Sequence, residues 1–277
     1  MIPKVLTIAG SDASGGAGQL ADLKTFQEYG VFGSVVLTCI VTMNPDNNWA
    51  PAINSIDIEL IDQQLKTNLA GTPFDAVKTG MIDSVEKIQF IGKVLSQQDI
   101  PNVVVDPVMV CKASQGMELE DMAQAMIQNF LPLATVTTPN LVEAEVLAEM
   151  SINSVDDMVQ AAKIIHSFGP RNVVIKGGNR LEGNTAVDVF YDGETVHILE
   201  NDKLTTNNNH GAGCTFAAAI TAGLAKGYDP LTATKLAKDF VYEAIRHGFH
   251  VNPTTGHTWT GAYNTAQNRM KVGKMNA

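Results

Sequence analysis

Six short apolar runs do most to limit what this chain can fold into. VLTIAG (5–10), SVVLTCIVTM (34–43), AVKTGM (76–81), VVVDPVMV (103–110), TVTTPN (135–140) and VVIKGG (173–178) are mostly continuous rather than alternating, the pattern of strands covered on both faces of a parallel sheet. Helical patterns lie between them. The segment QLADLKTFQEYG (19–30) sets Leu20, Leu23 and Phe26 on one face and ends at Gly30, a candidate C′ residue. Further helices are expected at 58–70, 84–97, 119–130, 141–149 and 154–167, and then at 214–226 and 230–248. Strands alternating with helices of this length imply right-handed crossovers. The fold class is therefore α/β, a doubly wound, mostly parallel central sheet with helices on both faces. AVDVFYDGETVHIL (186–199) carries an Asp192-Gly193 turn between alternating strands, one small β-hairpin.

The chain has 277 residues, of which 45% are hydrophobic and 17% charged, a balance that supports a large core rather than disorder. One domain is expected over 1–262, with a polar tail at 263–277. A formal net charge of −10, with no run of Lys and Arg, argues against nucleic acid as a partner. An anionic substrate would have to be met locally, by backbone N–H groups, a few lysines or a metal ion. Cys39, Cys111 and Cys214 are odd in number and far apart, as expected of free thiols in a reducing cytoplasm. Neither a signal peptide nor an apolar segment of membrane-spanning length is legible, so no membrane role is expected.

After each strand comes a cluster rich in Gly, Asp, Asn or Lys, and a parallel sheet brings such clusters together along one edge. Gly16-Ala-Gly18-Gln-Leu-Ala21 formally fits a dinucleotide fingerprint. However, the second strand ends in Thr42-Met43-Asn44 without the acid that would bind a ribose. The glycines may equally serve a tight turn, or close with Asp12 around a small polar substrate. In HGAGCT (210–215), Gly211 and Gly213 allow amides to point into one concavity, and the helix beginning near Cys214 adds its positive end. Such a cup suits an anion and would acidify a thiol. Three chemistries stay open there: a nucleophilic cysteine with His210, a thiol base beside phosphoryl transfer, or a small packing residue. No Asn or Asp is evidently placed to orient His210. Asn140 and Glu143 stand three apart at a helix start, where they can cap that helix or support phosphate and Mg²⁺. Asp106, held before Pro107, is a second candidate for the metal. Lys176, followed by Gly177 and Gly178, suits phosphate oxygens unless it is simply solvated. His247, His250 and His257 suggest a transition-metal site only weakly, for no Cys or carboxylate pattern accompanies them. Trp49, in NPDNNWAP, either covers a site mouth or packs.

In order along the chain, GSDASGGAG (10–18), KTGM (78–81), DPVMV (106–110), TPNLVEAE (138–145), IKGG (175–178) and HGAGCT (210–215) resemble the ribokinase-like superfamily of ATP-dependent sugar and vitamin kinases. Within it they resemble the branch of hydroxymethylpyrimidine (phosphate) kinases and related pyridoxal kinases, over about residues 3 to 260. Six ordered motifs are far more specific than any one of them. The wider superfamily carries an aspartate base where this chain has Cys214. Pyrimidine kinases usually have Gln-Asn where this chain has Met43-Asn44, and alanine where it has Cys111, a difference that looks like the two-cysteine pyridoxal kinases. A thiol can add reversibly to an aldehyde, which pyridoxal has and a pyrimidine alcohol lacks.

The resemblance implies ATP-dependent phosphorylation of the 5′-hydroxymethyl group of pyridoxal, and of pyridoxine and pyridoxamine, by a homodimer. The alternative is a hydroxymethylpyrimidine kinase. Cys214 would be the base, beside the amides of Gly211, Ala212 and Gly213. Asp12, Gly18, Met43, Met81, Val108, Cys111 and His210 would line the vitamin pocket, with Cys111 on a flap. Asn140, Lys176, Gly177, Gly178, Asp188, Gly213 and Lys238 would hold ATP, and Glu143 with Asp106 would hold Mg²⁺.

Overall fold

A computed structural model describes residues 1–109 and 117–265. The described residues form β1 (Lys4–Asp12), α1 (Gln19–Tyr29), β2 (Phe32–Asn44), β3 (Ala50–Ser55), α2 (Ile58–Leu69), β4 (Ala76–Thr79), α3 (Val85–Leu95), β5 (Val103–Val105) and α4 (Met117–Asn129). They continue with β6 (Val136–Thr137), α5 (Leu141–Ala148), α6 (Val155–His166), β7 (Val173–Lys176), β8 (Thr185–Tyr191), β9 (Val196–Asp202), α7 (Ala212–Ala225), α8 (Pro230–Arg246), β10 (Phe249–Asn252) and β11 (Thr255–His257). The first nine strands make one sheet in the order β3-β2-β1-β4-β5-β6-β7-β8-β9. Its pairings are parallel from β2 to β7 and antiparallel at both margins. Strands β10 and β11 form a separate antiparallel pair.

Alternate strand residues feed two cores, as the two-residue period of a strand requires. Leu6, Ile8, Val77, Val105, Val173 and Ile175 pack with α2 to α6 on one face. On the other, Val104, Val136 and Val174 meet α7 and α8, and Val5 and Ala76 meet α1 and α7. Helix α7 is the central one of this second layer. Its sequence AGCTFAAAITAGLA is buried from Thr215 to Leu224, so its small residues let it lie close to the sheet and to both neighbours at once.

Three details depart from the sequence reading. The buried face of α1 is Ala21, Asp22, Thr25 and Phe26, while Leu20 and Leu23 stay half-buried. Strand β2 outruns the core: Cys39–Asn44 pair antiparallel with β3, and NPDNNWAP is the turn of that hairpin, with Trp49 at a φ of 58°. From Ile40 onward its residues alternate between exposed and half-buried, as on a sheet with one solvated face. The Asp192-Gly193 hairpin forms, but as the margin of the main sheet, and the small separate hairpin is β10–β11. Tyr263 lies against Phe240, and Asn264 Nδ2 donates to Glu28 O at 2.9 Å.

A lysine in the apolar run AVKTGM needs a partner, since an unpaired charge there would be driven to neutrality. Lys78 finds it across the sheet in Asp22 of α1: Nζ donates to Oδ2 at 3.0 Å, and Thr7 Oγ1 donates to the same oxygen at 2.6 Å. Both charged side chains are fully enclosed. Removing one member of such a pair leaves a buried charge. Lys78→Met should therefore cost about 3–5 kcal/mol in urea unfolding, and Lys78→Met combined with Asp22→Leu should recover much of that loss.

Candidate active site

The parallel strands deliver Asp12, Met81, Asp106, Asn140 and Lys176 to one edge, each at or just beyond a strand's C-terminal end. On one side of this rim lies a cavity of about 490 Å³ bounded by β7, β8, the start of α5, α7 and α8. Asn140, Lys176, Gly177, Gly178, Asp188, Gly213 and Lys238, the residues expected to hold a nucleotide, all line it. Lys238 Nζ donates to Asp188 Oδ2 at 2.7 Å, and the Gly177 N–H donates to Asp188 Oδ1 at 3.0 Å. The sequence reading missed the apolar wall of Val142, Leu204, Phe216, Val241, Tyr242 and Ile245. On α8, Val241, Tyr242 and Ile245 share a helical stripe with core residues, so nothing in their spacing separates a ligand wall from packing.

Lys176 is not a solvated lysine. Its Nζ donates to Asp106 Oδ1 at 2.9 Å, an oxygen that also accepts from Thr138 Oγ1 at 3.1 Å. Burial alone would favour its neutral form, but Asp106 and Glu143 hold its pKa above the ordinary range. Both readings of the N-x-x-E motif meet in Glu143. It completes a capping box, Oε2 accepting from the Asn140 N–H at 2.8 Å and Asn140 Oδ1 from the Glu143 N–H at 3.0 Å. Burial also pushes its carboxyl up to about 7, against the pull of Lys176 and with the push of Asp106. Two buried carboxylates sharing one lysine are short of positive charge. That donor set fits a hard, oxygen-seeking cation such as Mg²⁺.

Cys214 sits in the first turn of α7. Gly211 caps the helix in a left-handed conformation, φ 84°, and a Cβ there would lie 1.8 Å from Gly16 O. Gly213 is helical, and its missing side chain faces Lys176 Nζ. The amide cup differs from expectation at Ala212, whose N–H already donates to Asn209 O at 3.1 Å. The cup therefore rests on Gly211 and Gly213, joined by the amide of Cys214 itself, which is too near the helix start for an intrahelical acceptor. The expected acidification of the thiol meets an opposing effect from burial, although Cys214 is only partly buried. Burial pushes Cys214 up to about 11, although the Lys78 ammonium and the Gly18 N–H on the sulfur act the other way, and Asp22 and Asp106 raise it further. Desolvation outweighs the helix end. Asp22 and Lys78 thus belong to the electrostatics of this thiol. The apolar run around Lys78 was the signal that could have found them.

On the other side of Cys214, the orienting carboxylate that His210 lacked in the sequence is Asp12, whose Oδ2 lies 2.6 Å from His210 Nε2. Burial pushes Asp12 up, but hydrogen bonds from His210 and Ser14 bring it down to about 2. His257, grouped in the sequence with His247 and His250, is brought instead to His210, with ring centroids 4.9 Å apart. His247 ends α8 and His250 lies in β10, so they do not share a helical turn. Gly18 bridges to Ser11 beside Asp12, and Met81 O accepts from the Gly10 N–H at 3.1 Å and from Thr38 Oγ1 at 2.6 Å. Val108 follows Asp106 directly on the rim, its N–H donating to Asp106 O at 2.8 Å. Met43 stands two residues past Val41, the partner of Asp12, on the β2–β3 extension. Cys111 lies outside the described residues.

The profile of the family described as Phosphomethylpyrimidine kinase matches residues 12–259. A pyridoxine kinase of Bacillus subtilis is 49% identical over 256 residues, which are 92% of this chain and 94% of that enzyme. Among solved structures, an ADP complex of Bacillus subtilis pyridoxal kinase superposes with a TM-score of 0.92 at 48% identity, covering 95% of this chain and 99% of that one. Staphylococcus aureus pyridoxal kinase in complex with AMP-PCP and pyridoxal gives 0.88 at 44% identity, covering 95% and 96%.

A thiol whose pKa is raised should react slowly. Alkylation of Cys214 by iodoacetamide in the ligand-free protein, followed by peptide mass spectrometry, should be slow at neutral pH and rise tenfold per pH unit towards about 11. A plateau near neutrality would mean that the helix end wins after all.

Proposed function

The chain belongs to the phosphomethylpyrimidine kinase family, and within it we propose that this protein is an ATP-dependent pyridoxal kinase that phosphorylates the 5′-hydroxymethyl group of pyridoxal, and of pyridoxine and pyridoxamine. The observation that carries this reading is one cavity, lined by Lys176, Asp188, Lys238 and Gly213, that ends at the turn of α7 bearing Cys214. It is supported by the relatives named above.

The cavity takes the nucleotide, its apolar α8 wall receiving the base and its Lys176 end the phosphates. Phosphoryl transfer needs in-line positioning and charge stabilisation more than covalent work. The amides of Gly211, Gly213 and Cys214 donate to the moving phosphoryl group, and preorganised donors of this kind are worth roughly 3–4 kcal/mol each. Glu143 and Asp106 would hold Mg²⁺, which supplies neutralising charge to the triphosphate when bound. Lys176, at present on Asp106, turns to a phosphate oxygen. The vitamin occupies the side of Asp12, Gly18, Met43, Met81, Val108 and His210, and Cys111 meets its aldehyde.

The thiolate of Cys214 takes the proton of the hydroxymethyl group as the oxygen attacks the γ-phosphorus and ADP leaves. The thiol is largely protonated at rest, so its own proton first passes to solvent and turnover is limited by the thiolate fraction, while the transfer comes late because the alcohol is a far weaker acid than the thiol. A homodimer and a cytoplasmic setting belong to the same reading. No helix among the described residues is long and apolar enough to cross a membrane.

A pyrimidine kinase is the second reading, and the family's own description favours it. ATP consumption measured with pyridoxal and hydroxymethylpyrimidine side by side separates the two, and preference for the pyrimidine would overturn ours. Cys214→Ala should lower kcat by about 10²–10⁴-fold with ATP still bound. In the unaltered enzyme kcat/KM should climb with pH from neutrality towards about 11, and Cys214→Asp, a far stronger acid in the same position, should move that climb to lower pH. Cys111→Ala should harm pyridoxal turnover more than pyridoxine turnover, whereas equal losses would remove the aldehyde contact.

A further inference from the structure

We propose that Asp12, His210 and His257 form a binding site for a borderline divalent metal ion of the zinc class, separate from the Mg²⁺ of the nucleotide. Asp12 ends β1, His210 stands just before the Gly211 cap of α7, and His257 ends β11, so three distant chain segments supply one ligand each. Their ligand atoms all lie within 4.8 Å of one another. Among the described residues they are the one group of three such side chains so disposed. Two imidazole nitrogens and one carboxylate oxygen select zinc, cobalt or nickel over magnesium, which prefers oxygen and retains its waters.

The geometry is close to what such an ion needs. Bonds of about 2.0–2.1 Å in a tetrahedron set ligand atoms roughly 3.3 Å apart. Asp12 Oδ2 and His210 Nε2, now 2.6 Å apart, would open by about 0.7 Å. The third ligand is already aimed. His257 Nδ1 lies 3.2 Å from Thr255 O, a contact that places the ring proton on Nδ1 and leaves the Nε2 lone pair, at present facing Ser14 Oγ, as the ligating position, the usual second-shell device of a metal-bound histidine. Ser14 Oγ sits 2.7 Å from Asp12 Oδ2 and 2.9 Å from His257 Nε2, bridging two of the three ligands in the place an ion would take. Rotation of this hydroxyl clears that position and leaves room for water as a fourth ligand.

The glycine-rich loop is shaped around the same rings. A Cβ on Gly16 would lie 1.9 Å from His257 Cδ2 and 2.7 Å from His210 Cδ2. The first motif of the chain thus leaves space for two imidazoles, a use that neither a dinucleotide fingerprint nor a simple turn accounts for. A bound ion would clamp the loop after β1 to the segment that carries the amide cup.

The test uses the full chain, stripped with a chelator and held free of nucleotide and magnesium. Co²⁺ should bind at one equivalent and give the visible bands of a four- or five-coordinate nitrogen and oxygen site. Zn²⁺ should displace it and raise the melting temperature in proportion to the logarithm of its concentration. His257→Ala and the milder His257→Gln, each checked for folding by circular dichroism, should weaken Zn²⁺ binding more than about 100-fold. His247→Ala with His250→Ala should leave it unchanged. Three results would overturn the proposal: no saturable binding, binding that survives loss of His257, or a thiolate-to-cobalt charge-transfer band that puts the ion on a cysteine. In any of these the triad is a hydrogen-bonded support for the loop and nothing more.

Discussion

Parallel strands end together, and in this chain they end in charge. Asp12, Lys78, Asp106 and Lys176 all leave the sheet within one crowded rim, at depths where water cannot serve each of them. The low local dielectric makes each unpaired group costly and each pair strong. The arrangement that results is a chain of mutual dependence: Lys78 on Asp22, Lys176 on Asp106 and Glu143, Lys238 on Asp188, His210 on Asp12. Lys176 and Lys238 line the cavity, where a polyanion would profit from them, and each already has a carboxylate to leave when one arrives; Lys78 is fully enclosed and stays on Asp22. The ion pairs of the ligand-free protein thus hold the cations in place without water.

Helix α7 turns that rim into a site. A helix of ordinary core residues would stand farther from the sheet, but Ala217, Ala218, Ala219 and Ala222 let it approach closely. Its first turn thereby reaches the level of Gly16 and Gly18. Gly211 has room for no side chain at that distance, and the loop after β1 is near enough for the Gly18 N–H to reach the sulfur of Cys214. The same packing that brings the amides to the cavity mouth also desolvates the thiol, which is why the two properties cannot be tuned apart. A looser α7 would have a more acidic cysteine and a poorer cup.

What could be read in the sequence follows from the range of the signals. Helix spacing and the capping box of Asn140 and Glu143 are local, and the helices appear within a residue or two of where periodicity puts them, whereas β5 and β6 end at Val105 and Thr137, short of the apolar runs drawn to 110 and 140. The nucleotide-side residues were legible because each stands beside a glycine or at a strand end, and Asp188 with Lys238 through family likeness. Strand β3 was not, since APAINS is short, begins with an alanine-proline pair and owes its existence to pairing with the overhang of β2. The meeting of Asp12, His210 and His257 has no local signal at all, for it depends on β11 folding back on the segment before α7. The sign of the shift at Cys214 was misread for a related reason: sequence displays the helix end but not the depth of burial, and burial is the larger effect.

On the proposed reading, a cysteine base at position 214 would be a different solution from the aspartate of the superfamily that the motifs resemble, and the charge around it gives that proposal a physical reason. Asp22 and Asp106 already push on the group at this position, and Glu143 is itself driven towards its protonated form. A further fixed carboxylate would add negative charge beside those and beside the triphosphate, raising the cost of the ground state that must assemble before transfer. A thiol, protonated at rest, adds none until it releases its own proton to solvent, and only the small thiolate fraction then acts as base. Its basicity, once the proton is gone, is greater for the same burial that makes the thiolate scarce, so the site exchanges readiness for strength. That exchange is sound only because a loose phosphoryl-transfer transition state asks for the proton late, when the oxygen has already begun to bond to phosphorus and its own acidity has risen.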